Sequence, residues 1–244
     1  MSVSIRFWPL CAAAIIVWSQ PALAYRPFDS TDPAVAEPGE VEIELSPVSF
    51  RHHDSGDTWI APQVRFNYGF ARNWELVIEG QGEHPQFEGS PSVMVENGAF
   101  FKHVVQEGTL QEQAGPSIAI EFGALLPGIN TQPGFGAEVA GIIGNQWSWG
   151  AIHFTAAASL NRDNRGEIFL GTIIEGPNTW AVRPVAELVY EREFGQSEVI
   201  AALAGVIWEA REGLAFDFAV RQAAVDGEPE TEVRLGLTFA FSTR

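Results

Sequence analysis

Cysteine is almost missing from this 244-residue chain, and the one that occurs, Cys11, lies near its start. Beyond Cys11 there is no thiol from which to build a disulfide framework, a Cys-ligated metal site or a redox pair. Cation is scarce as well. Lys102 is the sole lysine, and 14 Lys and Arg face 31 Asp and Glu for a formal charge of −17. A chain this acidic is unsuited to nucleic acid, whose binding depends on neutralising phosphates. Long apolar runs are missing too: none after the start approaches the roughly 20 residues of a membrane helix. Only helices and closed barrels satisfy their backbones in lipid, so a membrane form of this chain has to be a barrel.

The start of the chain reads as a secretory signal peptide over residues 1–24. Arg6 supplies the basic end, residues 10–18 form a short apolar core, and Pro21-Ala22-Leu23-Ala24 ends in a small-x-small cleavage pattern. Trp8-Pro9-Leu10 is a poor lipobox, so Cys11 is not read as a lipidation site. Residues 25–39 carry Pro27, Pro33 and Pro38 without periodicity and read as an extended N-terminal segment. Residues 40–244 read as one all-β domain.

From Glu40 onward, apolar and polar residues alternate with period two between turn signals. The expected strands cover residues 40–45, 63–68, 74–79, 95–105, 117–126, 134–144, 150–160, 167–175, 181–191, 199–208, 214–222 and 232–241, about twelve in all. Many run to about ten residues, the length a tilted strand needs to cross hydrocarbon, against about five or six in soluble sheets. Long connections are expected at 51–58 and 83–92, with polar ones at 161–166 and 224–231. Short turns are expected at 71–73, 145–147, 176–179 and 209–213, and the long stretch 106–115 breaks the alternation. The pattern predicts an antiparallel up-and-down transmembrane β-barrel in the outer membrane.

Charged residues on alternate positions cannot face lipid cheaply, which assigns Arg65, Glu75, Glu79, Glu121, Glu138, Arg183, Glu187, Asp217, Arg221 and Arg234 to the lumen. Such a set either fills the barrel as mutual ion pairs or lines a solute path. Tyr68, Trp74, Trp149, Trp180, Tyr190 and Trp208 fall at strand ends, where membrane-interface girdles sit. Phe241 gives the last strand an aromatic three residues from the end, close to the signal read by barrel insertion machinery.

No catalytic or metal constellation emerges, and no cofactor is implied. His52-His53-Asp54 lacks a spaced third ligand and reads as an exposed polar loop. His103, His153, Ser117 and Ser159 lie in strands without a nucleophile motif. Gly134-Phe135-Gly136 has no following helix and is no phosphate loop.

Several phrases resemble an outer-membrane transporter-like family labelled for the MetA pathway of phenol degradation. They are Arg26-Pro27-Phe28-Asp29 with Glu37-Pro38-Gly39-Glu40-Val41-Glu42, the hairpin Asn67-Tyr68-Gly69-Phe70-Ala71-Arg72-Asn73-Trp74-Glu75-Leu76, the strand from Gly115-Pro116-Ser117 to Leu126-Pro127, and Gly205-Val206-Ile207-Trp208. Asp29-Ser30-Thr31-Asp32 departs from that family's pattern. The resemblance implies an outer-membrane barrel that takes up small aromatic or other hydrophobic solutes, and no functional residue carries over. The competing readings are a non-transporting structural or interaction barrel and, third, a membrane-embedded lipid hydrolase.

Overall fold

The structure, a computed structural model, describes residues 26–87 and 89–243. The leader assigned to residues 1–24 lies outside the described residues. Twelve strands form one closed antiparallel barrel in which each strand pairs with its sequence neighbours and the last returns to the first. They are β1 (Glu40–His53), β2 (Gly56–Ala71), β3 (Trp74–Pro85), β4 (Val93–Gln106), β5 (Ser117–Leu125), β6 (Gly136–Trp147), β7 (Gly150–Leu160), β8 (Gly166–Glu175), β9 (Val182–Glu193), β10 (Ser197–Arg211), β11 (Leu214–Val225) and β12 (Glu228–Ser242). Closure leaves no edge strand, because β1 pairs with both β2 and β12. No described helix is long and apolar enough to cross a membrane.

The expected connections at one end need correction. Residues 51–58 are not a long loop: β1 and β2 stay paired to His53↔Gly56, leaving only Asp54 and Ser55 between them. His52 and His53 are therefore strand residues. Likewise 224–231 is no loop, since Asp226 and Gly227 alone join β11 to β12. Both have positive φ (52° and 87°), the geometry of a tight hairpin turn, and Gly227 supplies it without steric cost. Pairing continues past the point where the apolar alternation stops because main-chain hydrogen bonds do not depend on hydropathy. The long connection at 107–116 is real and carries a short 3-10 turn, Thr109–Gln111.

Two register shifts fall around mid-strand prolines, where a ladder donor is missing. One lies between Leu45 and Val48 around Pro47, the other between Ile60 and Gln63 around Pro62. Elsewhere the alternation translates directly into faces. On β11, Asp217, Ala219 and Arg221 are buried inside, while Phe216 and Phe218 lie exposed on the outer wall. The adjacent Phe100 and Phe101, which blur the sequence pattern, split in the same way: Phe100 is buried and Phe101 exposed. The outer wall is thus studded with exposed Phe, Leu, Ile and Val, whereas the buried set is dominated by charged and polar side chains. This inverts a soluble core.

The N-terminal segment, residues 26–39, turns back into the barrel from the end where β1 begins and β12 finishes. Pro27, Ser30, Thr31, Asp32, Pro33 and Ala34 are all buried. Glycines on the wall make room for it: a Cβ at Gly69 would overlap the Ala36 and Glu37 carbonyls, and one at Gly144 would strike Pro33. Gly69→Ala is expected to destabilise the folded barrel by about 1–3 kcal/mol through this overpacking. The check is the midpoint of the heat-dependent gel mobility shift, which should fall relative to the parent.

Candidate functional site

Proline and the lack of apolar alternation keep residues 26–39 out of the sheet, so their backbone groups need partners elsewhere. Inward side chains of the wall provide them. Glu187 on β9 accepts from the amides of Asp29 and Ser30, each at 2.8 Å, and from the Ser30 hydroxyl. Arg234 on β12 donates to the Pro27 carbonyl at 2.7 Å. Thr155 on β7 donates to the Thr31 carbonyl at 3.0 Å, and Glu75 on β3 accepts from the Ala36 amide at 2.6 Å. Lys102 on β4 donates to the Thr31 hydroxyl at 3.1 Å and lies 3.8 Å from Asp32. The segment is therefore tied to walls on opposite sides of the lumen.

Its strongest ionic anchor is Asp29. One carboxylate oxygen lies 2.7 Å from Arg234 and the other 2.8 Å from Arg221, while Glu232 pairs with Arg234 at 2.7 Å and Glu230 with Arg221 at 3.2 Å. Burial alone would raise the Asp29 carboxyl, but Arg234 and Arg221 override it and hold it down at about 2. Arg26, lying 3.6 Å from Asp217 and bonded to Gln63 at 2.7 Å, fixes the segment's first described residue; burial lowers the guanidinium, with Asp217 opposing.

Between this segment and the barrel end remote from the start of β1 lies a cavity of about 480 Å³. Arg65, Glu79, Glu121, Glu138, Arg221 and Arg234 line it. Arg65 bridges Glu79 at 2.9 Å and Glu121 at 3.1 Å. Glu138 makes no ion pair among the described residues, and neither do three further lining acids, Glu96, Glu167 and Glu191. The paired strand arginines that line it sit on β1, β2, β11 and β12, whereas the opposite wall of β4, β6, β8 and β9 presents these carboxylates without ion pairs. Phe28 and Phe169 add apolar surface to the cavity.

Glu75, Arg183, Glu187 and Asp217 do not line the cavity. Glu75, Glu187 and Asp217 hold the N-terminal segment. Arg183 instead pairs with Glu175 at 3.0 Å, which also meets His153 at 3.2 Å. Sequence reasoning missed the segment's own Asp29, Ser30 and Asp32, and also Lys102, Glu42 and Glu44. The inward parity of β1 was available as a signal for the two glutamates; nothing local marks where the segment goes.

Of the aromatics expected at an interface, Tyr68, Trp74, Trp149, Trp180 and Trp208 lie near the end where β1 begins, and Tyr190 toward the other. Trp149 stacks on Trp147 at 5.2 Å, Trp208 on Phe216 at 5.6 Å and Trp74 on His103 at 4.1 Å. Serine and histidine meet at the opposite rim, where His53 contacts Ser55 at 2.7 Å and His84 contacts Ser92 at 2.8 Å. The second ring nitrogen of His84 goes to a backbone carbonyl, Ala61, rather than to a carboxylate. No three His, Cys, Asp or Glu side chains among the described residues are grouped to hold a metal.

No protein-family model matches the sequence, and no curated protein does. Solved structures do match in fold. The COG4313 outer membrane channel from Pseudomonas putida F1 superposes with a TM-score of 0.59 at 9% identity, over 88% of this chain and 100% of that one. The KdgM porin in complex with disordered oligogalacturonate gives 0.56 at 12%, over 82% and 99%. The CymD monoaromatic hydrocarbon channel gives 0.51 at 6%, over 86% and 90%. At such identities the likeness is one of architecture, a closed antiparallel barrel.

Replacing Asp29 tests the anchor. Asp29→Asn should cost about 1–3 kcal/mol, since Arg221 and Arg234 keep their second partners. Because the folded-state carboxyl is depressed, its contribution is complete above the ordinary carboxylate range and vanishes as pH falls toward about 2. Urea midpoints in detergent should therefore separate parent from Asp29→Asn at neutral pH and converge at about pH 2.

Proposed function

We propose that the protein is an outer-membrane channel, exported by cleavage of residues 1–24, that passes small solutes through a lumen narrowed by residues 26–39. The observation that carries this reading is the inverted barrel: an apolar outer wall, a charged interior and a cavity of about 480 Å³ within it. In lipid that outer wall faces hydrocarbon, and the Trp-rich end sits at headgroup level. Outer-membrane lipid and the barrel insertion machinery are the partners this implies. The fold shared with known channels supports the reading, and so does the exposed Phe241 near the end of β12.

The solute class follows from the cavity. Carboxylates without ion-pair partners on one wall disfavour a polyanion such as the oligogalacturonate bound by KdgM. They favour neutral or cationic solutes, and Phe28 and Phe169 offer contact to a small aromatic or otherwise hydrophobic body, in keeping with the hydrocarbon named for CymD.

A second reading has one specific observation in its favour. The N-terminal segment fills so much of the lumen that a structural barrel with no traffic fits as well. Planar bilayers separate the two: a channel gives small stepwise conductance, and silence at high protein concentration overturns the channel reading. The membrane assignment has its own test. Leu188 is 62% exposed at mid-strand on β9. Leu188→Lys is expected to cost about 2–4 kcal/mol in vesicle-embedded protein. Urea titration in lipid reads this, and an unchanged midpoint would contradict a lipid-facing wall.

A further inference from the structure

Near the barrel end remote from the start of β1, a strip of apolar side chains crosses the charged lumen, and one carboxylate interrupts it. Ala157 on β7 stands opposite Phe169 on β8, and Phe169 opposite Glu191 on β9. Glu191 in turn stands opposite Val199 on β10, and Val199 opposite Val225 on β11. The register thus sets these five in one row across adjacent strands, with about 5 Å between neighbours. All five line the cavity. Phe169, Val199 and Val225 pack on the buried Val189, Ala201 and Ala223, so the apolar patch has a backing of its own. Phe169 and Val199 flank Glu191 closely enough for a solute the size of a single ring to touch both.

Glu191 makes no ion pair among the described residues. Glu167, which also lines the cavity from the Phe169 face of β8, lies in hydrogen-bond contact with it. Two touching carboxylates repel unless a proton or a cation stands between them. The arginines around the row are already engaged. Arg165 pairs with Glu193 at 3.0 Å, and Arg221 with Asp29 at 2.8 Å and Glu230 at 3.2 Å. An anion placed here meets carboxylates first, and a bare metal ion gains nothing from the apolar side chains on either side. A solute with an ammonium head and a compact apolar body satisfies both features. Its head sits at Glu191 and Glu167 in charge-assisted hydrogen bonds, and a ring packed on Phe169 gains attraction beyond its buried area. The cavity, about 480 Å³, falls within the roughly 300–1,000 Å³ of small-molecule sites.

We propose that Glu191 and Glu167, with Phe169 and Val199 beside them, form a capture site for small primary amines that carry an aromatic ring. The proposal rests on the channel reading for its purpose, selecting the solute at the mouth, and is tested by binding alone. Phenethylamine, 2-phenylethanol and phenylacetate share one body and differ in charge. Each is titrated calorimetrically at neutral pH into the folded barrel in detergent, with protein-free micelles as the blank. The amine should bind about tenfold tighter than the alcohol or more, and the acid should not bind. Glu191→Gln should weaken the amine by about tenfold and leave the alcohol within about twofold. Phe169→Ala should weaken amine and alcohol alike, by about threefold. Glu212→Gln, which removes an equal charge from an exposed turn, should change none of the three. If Glu191→Gln loses its gel mobility shift, the ranking of the three probes on the parent carries the test. An amine bound no tighter than the alcohol overturns the site. So does an amine affinity that Glu191→Gln leaves unmoved or that Glu212→Gln lowers equally. Amine binding with silent bilayers overturns the channel reading and leaves the site, and conducting bilayers without amine binding do the reverse.

Discussion

Once the main-chain ladder closes on itself, every inward charge has to be neutralised inside a confined space, and the rest of the structure follows from that constraint. Twelve strands satisfy their backbone groups by pairing around the ring. The alternation then sends one set of side chains out to an apolar surface and the other into the lumen. Charges sealed in such a lumen cannot rely on bulk water, so arginines bridge acids from neighbouring strands, as Arg65 does for Glu79 and Glu121. The N-terminal segment is drawn into the same accounting. Asp29 completes the charge of Arg221 and Arg234, and Glu187 satisfies amides that would otherwise be unpaired. The segment is thus held by ionic and hydrogen-bond partners, with Phe28 packed against Val185, Ile207 and Ala215.

Strand number, the closed topology and the direction of most inward charges were legible in the sequence, because a period of two forces a choice of face at every step. On β11 the parity of Asp217 and Arg221 against Phe216 and Phe218 is enough to orient the strand. Strand ends were not legible. His52, His53 and Glu230 stay in the ladder although their polarity signals a loop, since pairing carries no hydropathy signature. The destination of residues 26–39 was hidden as well. Its anchors are long-range contacts between Asp29 and residues nearly two hundred positions away, and no local pattern encodes such a partner. Glu42 and Glu44 share the parity of β1 that marked the other lumen residues, but what surrounds them is visible only once β12, β2 and the N-terminal segment are in place.

The cavity shows the same imbalance on a larger scale. Cations gather on one side and are each matched, while Glu96, Glu138, Glu167 and Glu191 stand opposite without ion pairs. An uncompensated acidic wall disfavours stability and favours the arrival of positive or neutral solutes, so it makes more sense in a conduit than in a purely structural cylinder.

The account stands on an outer wall that meets lipid and an inner wall that meets water. Beyond Cys11 the chain has no cysteine, so single cysteines introduced along residues 214–222 report each face cleanly. In vesicle-embedded protein, positions 216, 218 and 220 should react with a lipid-phase maleimide, and positions 217, 219 and 221, which face the packed lumen, should not. Reactivity that does not alternate, or water-soluble labelling of 216, 218 and 220 at mid-height, would contradict it.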